Sequence, residues 1–295
     1  MTKNISIIGI GEVGSQLASL LIPIDNIHLN LVDPGNISGR FLDLEHAASV
    51  YNKTLSINSL ESVKDAGLIF YTAGYCNKPN ESRNTVAQKN KDLIKSVFTE
   101  LNLNENNTVV SVSNPVELTS KWIDEICPAK VVGTGTSLDS FRLSYLLKTQ
   151  LGKSFNNSLA PVYGEHGKQM VPAWNEISEM LSISDQSEIQ STLLNSAFTI
   201  RKTEEATKYG IAHTCVKIMK MFFDEETLPL PLSYKVDEEL MKNLDLSKNI
   251  YISLPCIIGR NKIILNKEHS LKLSRMEEIR LASKKIESIY EQYIS

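Results

Sequence analysis

The sequence predicts an α/β protein: a doubly wound, mostly parallel sheet in the first half, followed by an α+β second half. Three observations predict it. Short apolar runs alternate with helix-like stretches through the first half, at the spacing of strand–helix–strand units. A glycine-rich turn joins the first run directly to the first helical pattern. Beyond about Leu143 the rhythm changes, with longer helical patterns and fewer strands.

Residues 5–10 form an apolar run that stops at glycines, as suits a strand buried on both faces of a parallel sheet. Strands are likewise predicted over 27–32, 68–72 and 108–112, and a fifth opens at 131–133. Helices are predicted over 13–21 and 86–101. In the second half, 161–163 and 251–258 read as strands, and 188–221 carries long helical patterns. The last helix is marked by Ser274 and Glu277, which fit a capping box, and by Ile279, Ile286 and Ile289 at helical spacing. The reading divides the chain into domains 1–143 and 144–295.

Of 295 residues, 42% are hydrophobic and 22% charged, which places the chain among folding globular proteins. The net charge of −3 is spread without like-charge blocks, so neither a nucleic-acid nor a membrane partner is expected. Met1-Thr2-Lys3-Asn4 runs straight into the first strand, and no apolar run reaches the roughly 18 residues of a membrane helix. No targeting segment is expected, and a cytoplasmic location is. The four cysteines are far apart, with no CxxC pair and no Cys/His cluster, so reduced thiols and no metal site are expected.

Gly9-Ile10-Gly11-Glu12-Val13-Gly14 is a G-x-G-x-x-G between a strand and a helix. Gly9 permits the turn, Gly11 lets a pyrophosphate approach the backbone, and Gly14 allows close helix–strand packing, as in a Rossmann domain. Asp33 lies 24 residues after Gly9, at the end of the second strand. A carboxylate there accepts from both ribose hydroxyls and repels a 2′-phosphate, so NAD is the expected cofactor.

Four further segments follow: Thr72-Ala73-Gly74 with Glu81-Ser82-Arg83, then Val112-Ser113-Asn114-Pro115-Val116, then Gly135-Thr136-Ser137-Leu138-Asp139-Ser140-Phe141-Arg142, then Gly164-Glu165-His166-Gly167. With the glycine loop, these closely resemble the lactate/malate dehydrogenase family over nearly the whole chain. The residues also make chemical sense alone. Reducing a 2-oxo acid needs a proton donor, a cation for the carboxylate and polarisation of the ketone. His166 exchanges protons near neutral pH, and Asp139 is its natural partner. Arg142, three residues after Asp139 on one helix face, offers a planar fork for a carboxylate. Asn114 ends the fourth strand, where its amide can reach a substrate oxygen.

The resemblance assigns His166, Asp139 and Arg83 as catalytic, Arg83 lying on a closing loop whose arginine polarises the reacting carbonyl. It assigns Arg142, Asn114, Asn77 and Thr207 to the substrate. To NAD it assigns the glycine loop with Glu12 and Val13, then Asp33, Thr72, Ala73, Gly74, Asn90, Val112 and Asn114. It implies a homodimer or homotetramer and a small 2-oxo/2-hydroxy acid as partner.

Substrate choice turns on Asn77. At the matching position malate enzymes carry arginine and lactate enzymes glutamine. A neutral, shorter asparagine argues for a monocarboxylate, lactate-like, with room for a side chain larger than methyl. Thr207 matches the lactate-type threonine. Alternatives are a malate dehydrogenase using another cation, such as Lys78, and a non-catalytic NAD-binding protein of the same fold. Other departures from the family pattern are Tyr75-Cys76, Asn80, Lys168-Gln169-Met170, Glu205 and a shortened stretch between Asp33 and Gly39. Some bacterial lactate dehydrogenases bind fructose 1,6-bisphosphate through an arginine and a histidine. Ser144 and Glu176 stand at those positions here, and no such activation is expected.

Overall fold

The computed structural model describes residues 2–75, 83–152, 159–177, 181–204, 206–224, 228–260, 262–266 and 276–293. Along the chain run β1 (Lys3–Ile8), α1 (Glu12–Leu21), β2 (Ile27–Val32), α2 (Ser38–Ser49), β3 (Ser56–Ile57), α3 (Leu60–Val63), β4 (Leu68–Tyr71) and α4 (Arg83–Glu100). Then come β5 (Thr108–Ser111), α5 (Val116–Asp124), β6 (Lys130–Gly133), α6 (Ser137–Leu151), β7 (Val162–Gly164), β8 (Met170–Pro172), α7 (Ile183–Ile200) and α8 (Tyr209–Asp224). The last are β9 (Leu230–Lys235), α9 (Glu238–Leu244), β10 (Tyr251–Gly259), β11 (Lys262–Leu265) and α10 (Met276–Glu291).

Contacts divide the chain into two compact units. The first is Met1–Gly133 with Lys208–Thr227 and Ile258–Ile263; the second is Thr134–Thr207 with Leu228–Ile257 and Ile264–Ser295. The first border thus falls ahead of α6. A border at Leu143 would cut that helix in mid-course, and Leu143 belongs to the buried core of the second unit. The return of 208–227 to the first unit, where α8 packs on α1, has no signature in a linear reading.

In the first unit six parallel strands lie in the order β3-β2-β1-β4-β5-β6. The order reverses between β1 and β4, and ligands of such sheets bind at the carboxyl ends beside that switch. β4 and β5 are buried at every residue, because a parallel strand covered on both faces has no polar side to show. β1 stops at Ile8, two residues short of the expected end, since Gly9 adopts φ +94°.

In the second unit the neighbours run β9-β10-β7-β8, all antiparallel. Leu143, Leu146 and Leu147 of α6 pack with Val162, Met170, Trp174, Ile189 and Leu193 in one cluster. β9 is not among the strands the sequence predicts; in its ladder Pro231 stands opposite Pro255 of β10. The long pattern over 188–221 resolves into α7 and α8, which belong to different units. α10 buries Ile279 and Ile286, as its spacing predicts. Ser274 lies outside the described residues. A capping box does open α7, where Ser182 and Asp185 exchange hydrogen bonds.

Candidate functional site

The glycine loop joins β1 to α1. A Cβ on Gly9 would lie 2.3 Å from the Ala73 backbone nitrogen, and one on Gly14 would lie 2.0 Å from the Gly9 carbonyl oxygen. Neither position admits a side chain. Gly11 is different. A Cβ there would meet nothing within 4 Å, and its φ of −73° is open to any residue. The chain itself has no steric need of glycine at this point. The space lies at the N-cap of α1, where no side chain caps the helix. Uncapped N–H groups facing open space suit an anion, and a pyrophosphate fits that description.

The Asp33 carboxylate accepts the Ile10 N–H at 2.7 Å through Oδ2 and the Gly35 N–H at 2.8 Å through Oδ1. It braces both the glycine loop and its own turn. A carboxylate has about four acceptor sites, so capacity remains for ribose hydroxyls. Thr72 and Ala73 both donate their N–H groups to the Ile8 carbonyl, at 2.8 and 3.0 Å. A Cβ on Gly74 would stand 3.4 Å from Asn90 Oδ1 and from the Ser113 side chain. Val13 is half-buried on the first turn of α1, and Val112 is buried just past β5.

Asn90 holds the backbone on either side of this segment. Its Oδ1 accepts the Tyr75 N–H at 2.7 Å, and its Nδ2 donates to the carbonyls of Tyr75 and Asn114 at 3.3 Å each. Its amide thus serves protein backbone. The Asn114 side chain is exposed at the carboxyl end of β5.

Sequence reasoning missed Arg40 and Lys208. Glu12, the first residue of α1, accepts from Arg40 Nη2 at 3.0 Å and from Lys208 Nζ at 2.8 Å. Arg40 also donates through Nη1 to the Ile10 carbonyl at 2.8 Å. The Lys208 hydrogen bond is the largest influence on the Glu12 carboxyl; burial opposes it, and with help from Arg40 the carboxyl sits below its usual range. No local signal marks these cations, since Glu12 is 28 residues from Arg40 and 196 from Lys208.

In the second unit, Asp139 lies on the first turn of α6 and is 1% exposed. Oδ2 pairs with His166 Nδ1 at 2.6 Å, and Oδ1 accepts from Arg142 Nη1 at 3.0 Å. Burial alone would raise the Asp139 carboxyl. The charges and hydrogen bonds of His166 and Arg142 outweigh it and hold the group below the usual carboxylate range. Two glycines set this geometry. Gly135, at φ +51°, brings the start of α6 so close to β9 and β10 that a Cβ would stand 2.4 Å from Ser253 Oγ and 2.6 Å from the Ser233 nitrogen. Gly164, at φ +87°, turns the chain into the segment that carries His166.

The structure pairs His166 with Asp139, the partner expected for it, and also pairs Arg142, expected to hold a substrate carboxylate, with the same Asp139. Thr207 is half-buried and is the last residue of the second unit's first segment. Arg83 opens α4, with its side chain outside the described residues, as is the whole of Asn77. Ser144 and Glu176 are engaged locally. Ser144 Oγ accepts the Ala160 N–H at 2.9 Å, and Glu176 accepts from the Tyr163 hydroxyl at 3.1 Å. Among the described residues no group of three or more His, Cys, Asp or Glu side chains could hold a metal, and no helix is long and apolar enough to cross a membrane.

Residues 3–133 match the family model for the lactate/malate dehydrogenase NAD binding domain, and residues 136–292 match that for the lactate/malate dehydrogenase alpha/beta C-terminal domain. The chain is 30% identical over 301 residues to an L-lactate dehydrogenase of Mycoplasma capricolum subsp. capricolum, covering 92% of this chain and 93% of that one. It is 26% identical over 310 residues to an L-lactate dehydrogenase of Staphylococcus epidermidis, covering 98% and 96%. In fold it is similar to a minor L-lactate dehydrogenase from Enterococcus mundtii, with TM-score 0.86, 22% identity and 99% and 98% of the two chains covered. It is also similar to a malate dehydrogenase from Archaeoglobus fulgidus in complex with NADH, with TM-score 0.84, 24% identity and 99% and 100% covered. The chain belongs to the lactate/malate dehydrogenase family of oxidoreductases, with its NAD-binding domain in residues 3–133.

Proposed function

We propose that the protein is an NAD-dependent dehydrogenase of small L-2-hydroxy monocarboxylic acids, of the lactate type. The observation that carries this reading is the His166–Asp139 pair at 2.6 Å, with Arg142 on the same carboxylate. Reduction of a 2-oxo acid delivers a hydride to carbon and a proton to oxygen, and NADH supplies the hydride when bound. The proton is the task of His166. With Nδ1 held by Asp139, the ring presents Nε2 to the substrate oxygen, and the buried carboxylate stabilises the imidazolium. Once the proton has left, Asp139 keeps the neutral ring in one tautomer and one orientation.

Arg142 binds the substrate carboxylate. A guanidinium has five N–H donors, and the bond to Asp139 uses one on Nη1. The Nε/Nη2 edge offers two parallel N–H groups to a carboxylate. Arg83 polarises the ketone and Asn114 donates its amide to the same oxygen. The cofactor is held by the Gly9–Gly11–Gly14 loop and by Asp33, which takes the ribose hydroxyls and disfavours a 2′-phosphate. Thr72, Ala73, Gly74, Val13 and Val112 line its course, and Asn90 acts on it through the backbone it holds.

Asn77 and Thr207 set the substrate. Burying a second carboxylate beside a neutral amide costs the charge its hydration without returning an ion pair. One methylene in a pocket is worth about 1–3 kcal/mol, so pyruvate and 2-oxobutyrate should differ modestly. A panel of 2-oxo acids followed by NADH absorbance tests the reading. Pyruvate or a slightly larger monocarboxylate should lead, oxaloacetate should trail well behind, and Asn77→Arg should move activity toward oxaloacetate. A preference of the unmodified chain for oxaloacetate would replace this reading with malate dehydrogenase, and absence of turnover on the whole panel would replace it with a binding protein. Assembly as a homodimer or homotetramer is part of the proposal, and light scattering at micromolar concentration checks it.

A further inference from the structure

In the Arg40–Glu12–Lys208 cluster, only Glu12 has a role assigned so far, as part of the glycine loop that the family resemblance gives to NAD. A carboxylate on the first residue of α1 is out of place for an anion site, because it stands beside the open space at Gly11. Two cations compensate it. Arg40 reaches in from α2 and Lys208 from the residue before α8, and each takes one oxygen of Glu12. Arg40 also grips the Ile10 carbonyl, while Asp33 grips the N–H of the same residue from the other side. All four side chains belong to the first unit. Arg40, Glu12 and Lys208 remain partly solvated, at 38%, 32% and 21% exposure, so their charges are partly screened and open to salt.

We propose that Arg40 and Lys208 form a cationic rim for the cofactor's pyrophosphate, and that Glu12, on which both converge, offsets part of their charge. The inference rests on the dinucleotide reading of the glycine loop. Two positive charges share one carboxylate, so the rim is attractive to a group carrying two negative charges despite the acid at its centre. Arg40 uses one donor on each of two nitrogens, which leaves further N–H groups for a phosphate oxygen. Asp33, one peptide away, is directed at the ribose and does not share these cations among the described ion pairs.

A purely structural network and an electrostatic rim differ in sign. If the cluster only stiffened the loop, removing any member would loosen the cofactor. For a rim, removing a cation loosens it and removing the anion does not. The experiment measures dissociation constants of NADH, ADP and adenosine by fluorescence titration at low and high salt. Arg40→Met and Lys208→Met should each weaken NADH and ADP by roughly three- to tenfold at low salt, the size expected for a partly screened unit charge. Adenosine, which has no phosphate, should bind these variants as it binds the unmodified chain, and this also shows that they are folded. Glu12→Gln should bind NADH at least as tightly as the unmodified chain.

In the unmodified chain alone, NADH affinity should fall with salt, and more steeply than in either cation variant. Unchanged NADH affinity and salt slope in both cation variants overturn the rim while leaving the dinucleotide reading in place. Loss of affinity in Glu12→Gln equal to that in Arg40→Met likewise overturns it in favour of a stiffening role. No binding of NADH by the unmodified chain overturns the dinucleotide reading, and the rim with it.

Discussion

The two units build their sites from different materials. In the first, the cradle is backbone. Gly9 and Gly14 are pressed against carbonyls and amides, Gly11 leaves a space, and the side chains of Asp33 and Arg40 hydrogen-bond the loop backbone at Ile10. In the second, the working parts are two side chains on one buried carboxylate, and backbone serves to bring them together. A backbone site depends on atoms that are absent; a side-chain site depends on charges that are matched. The two should therefore fail in different ways.

The largest expected effect is on the matched charges. Asp139→Asn leaves His166 and Arg142 without their shared anion, and breaking a buried pair from one side costs about 3 kcal/mol or more. Denaturant unfolding near neutral pH should show that loss. The Asp139 carboxyl lies below its usual range in the fold, so its contribution is fully present above the unfolded value near 3.8 and disappears as pH falls through the folded value. The stability gap between the two proteins should close on acidification. A gap that is constant down to strongly acid pH would mean that the pairing is not its source.

Next come the glycines, where the first unit divides against itself. Gly14→Ala drives a methyl into the Gly9 carbonyl and should cost about 1–3 kcal/mol as overpacking, with a clear fall in Tm. Gly11→Ala should leave Tm almost unchanged and weaken NADH instead, because its Cβ meets only the space reserved for the cofactor. Equal loss of Tm in both would remove Gly11 from the cofactor site. A smaller effect is expected at Asp33. Asp33→Ser should narrow the preference of kcat/KM for NADH over NADPH, while also loosening a loop that the carboxylate braces through Ile10. Comparable use of the two cofactors by the unmodified chain would sink the assignment. The smallest effect is none at all. Fructose 1,6-bisphosphate should not activate, since Ser144 and Glu176 are a neutral and an acidic group already engaged by Ala160 and Tyr163. Clear activation at millimolar concentration or below would contradict this.

The same contrast explains what could be read from the sequence. Gly9, Gly11 and Gly14 announce themselves because only glycine satisfies all three demands at fixed offsets, and the parallel strands announce themselves by short, mostly apolar runs. His166, Asp139 and Arg142 were legible as chemistry, and their meeting came from the family resemblance. Arg40 and Lys208 were not legible, because in a sequence a cation on α2 or before α8 looks like any other until its partner is known. Strand β9 is masked by Pro231, which breaks the pattern of a strand. The return of α8 to the first unit was hidden by the order of the chain, which places that helix after most of the second.

The central claim is that binding and proton transfer are separate responsibilities of separate sets of residues. Its most direct test is His166→Ala, measured twice on the same preparation. Turnover with NADH and the best 2-oxo acid should fall by roughly 10²–10⁴-fold, the usual loss for a general acid–base. The NADH dissociation constant should stay within about twofold of the unmodified value. Near-normal turnover in that variant, or NADH binding that collapses together with kcat, would contradict the account.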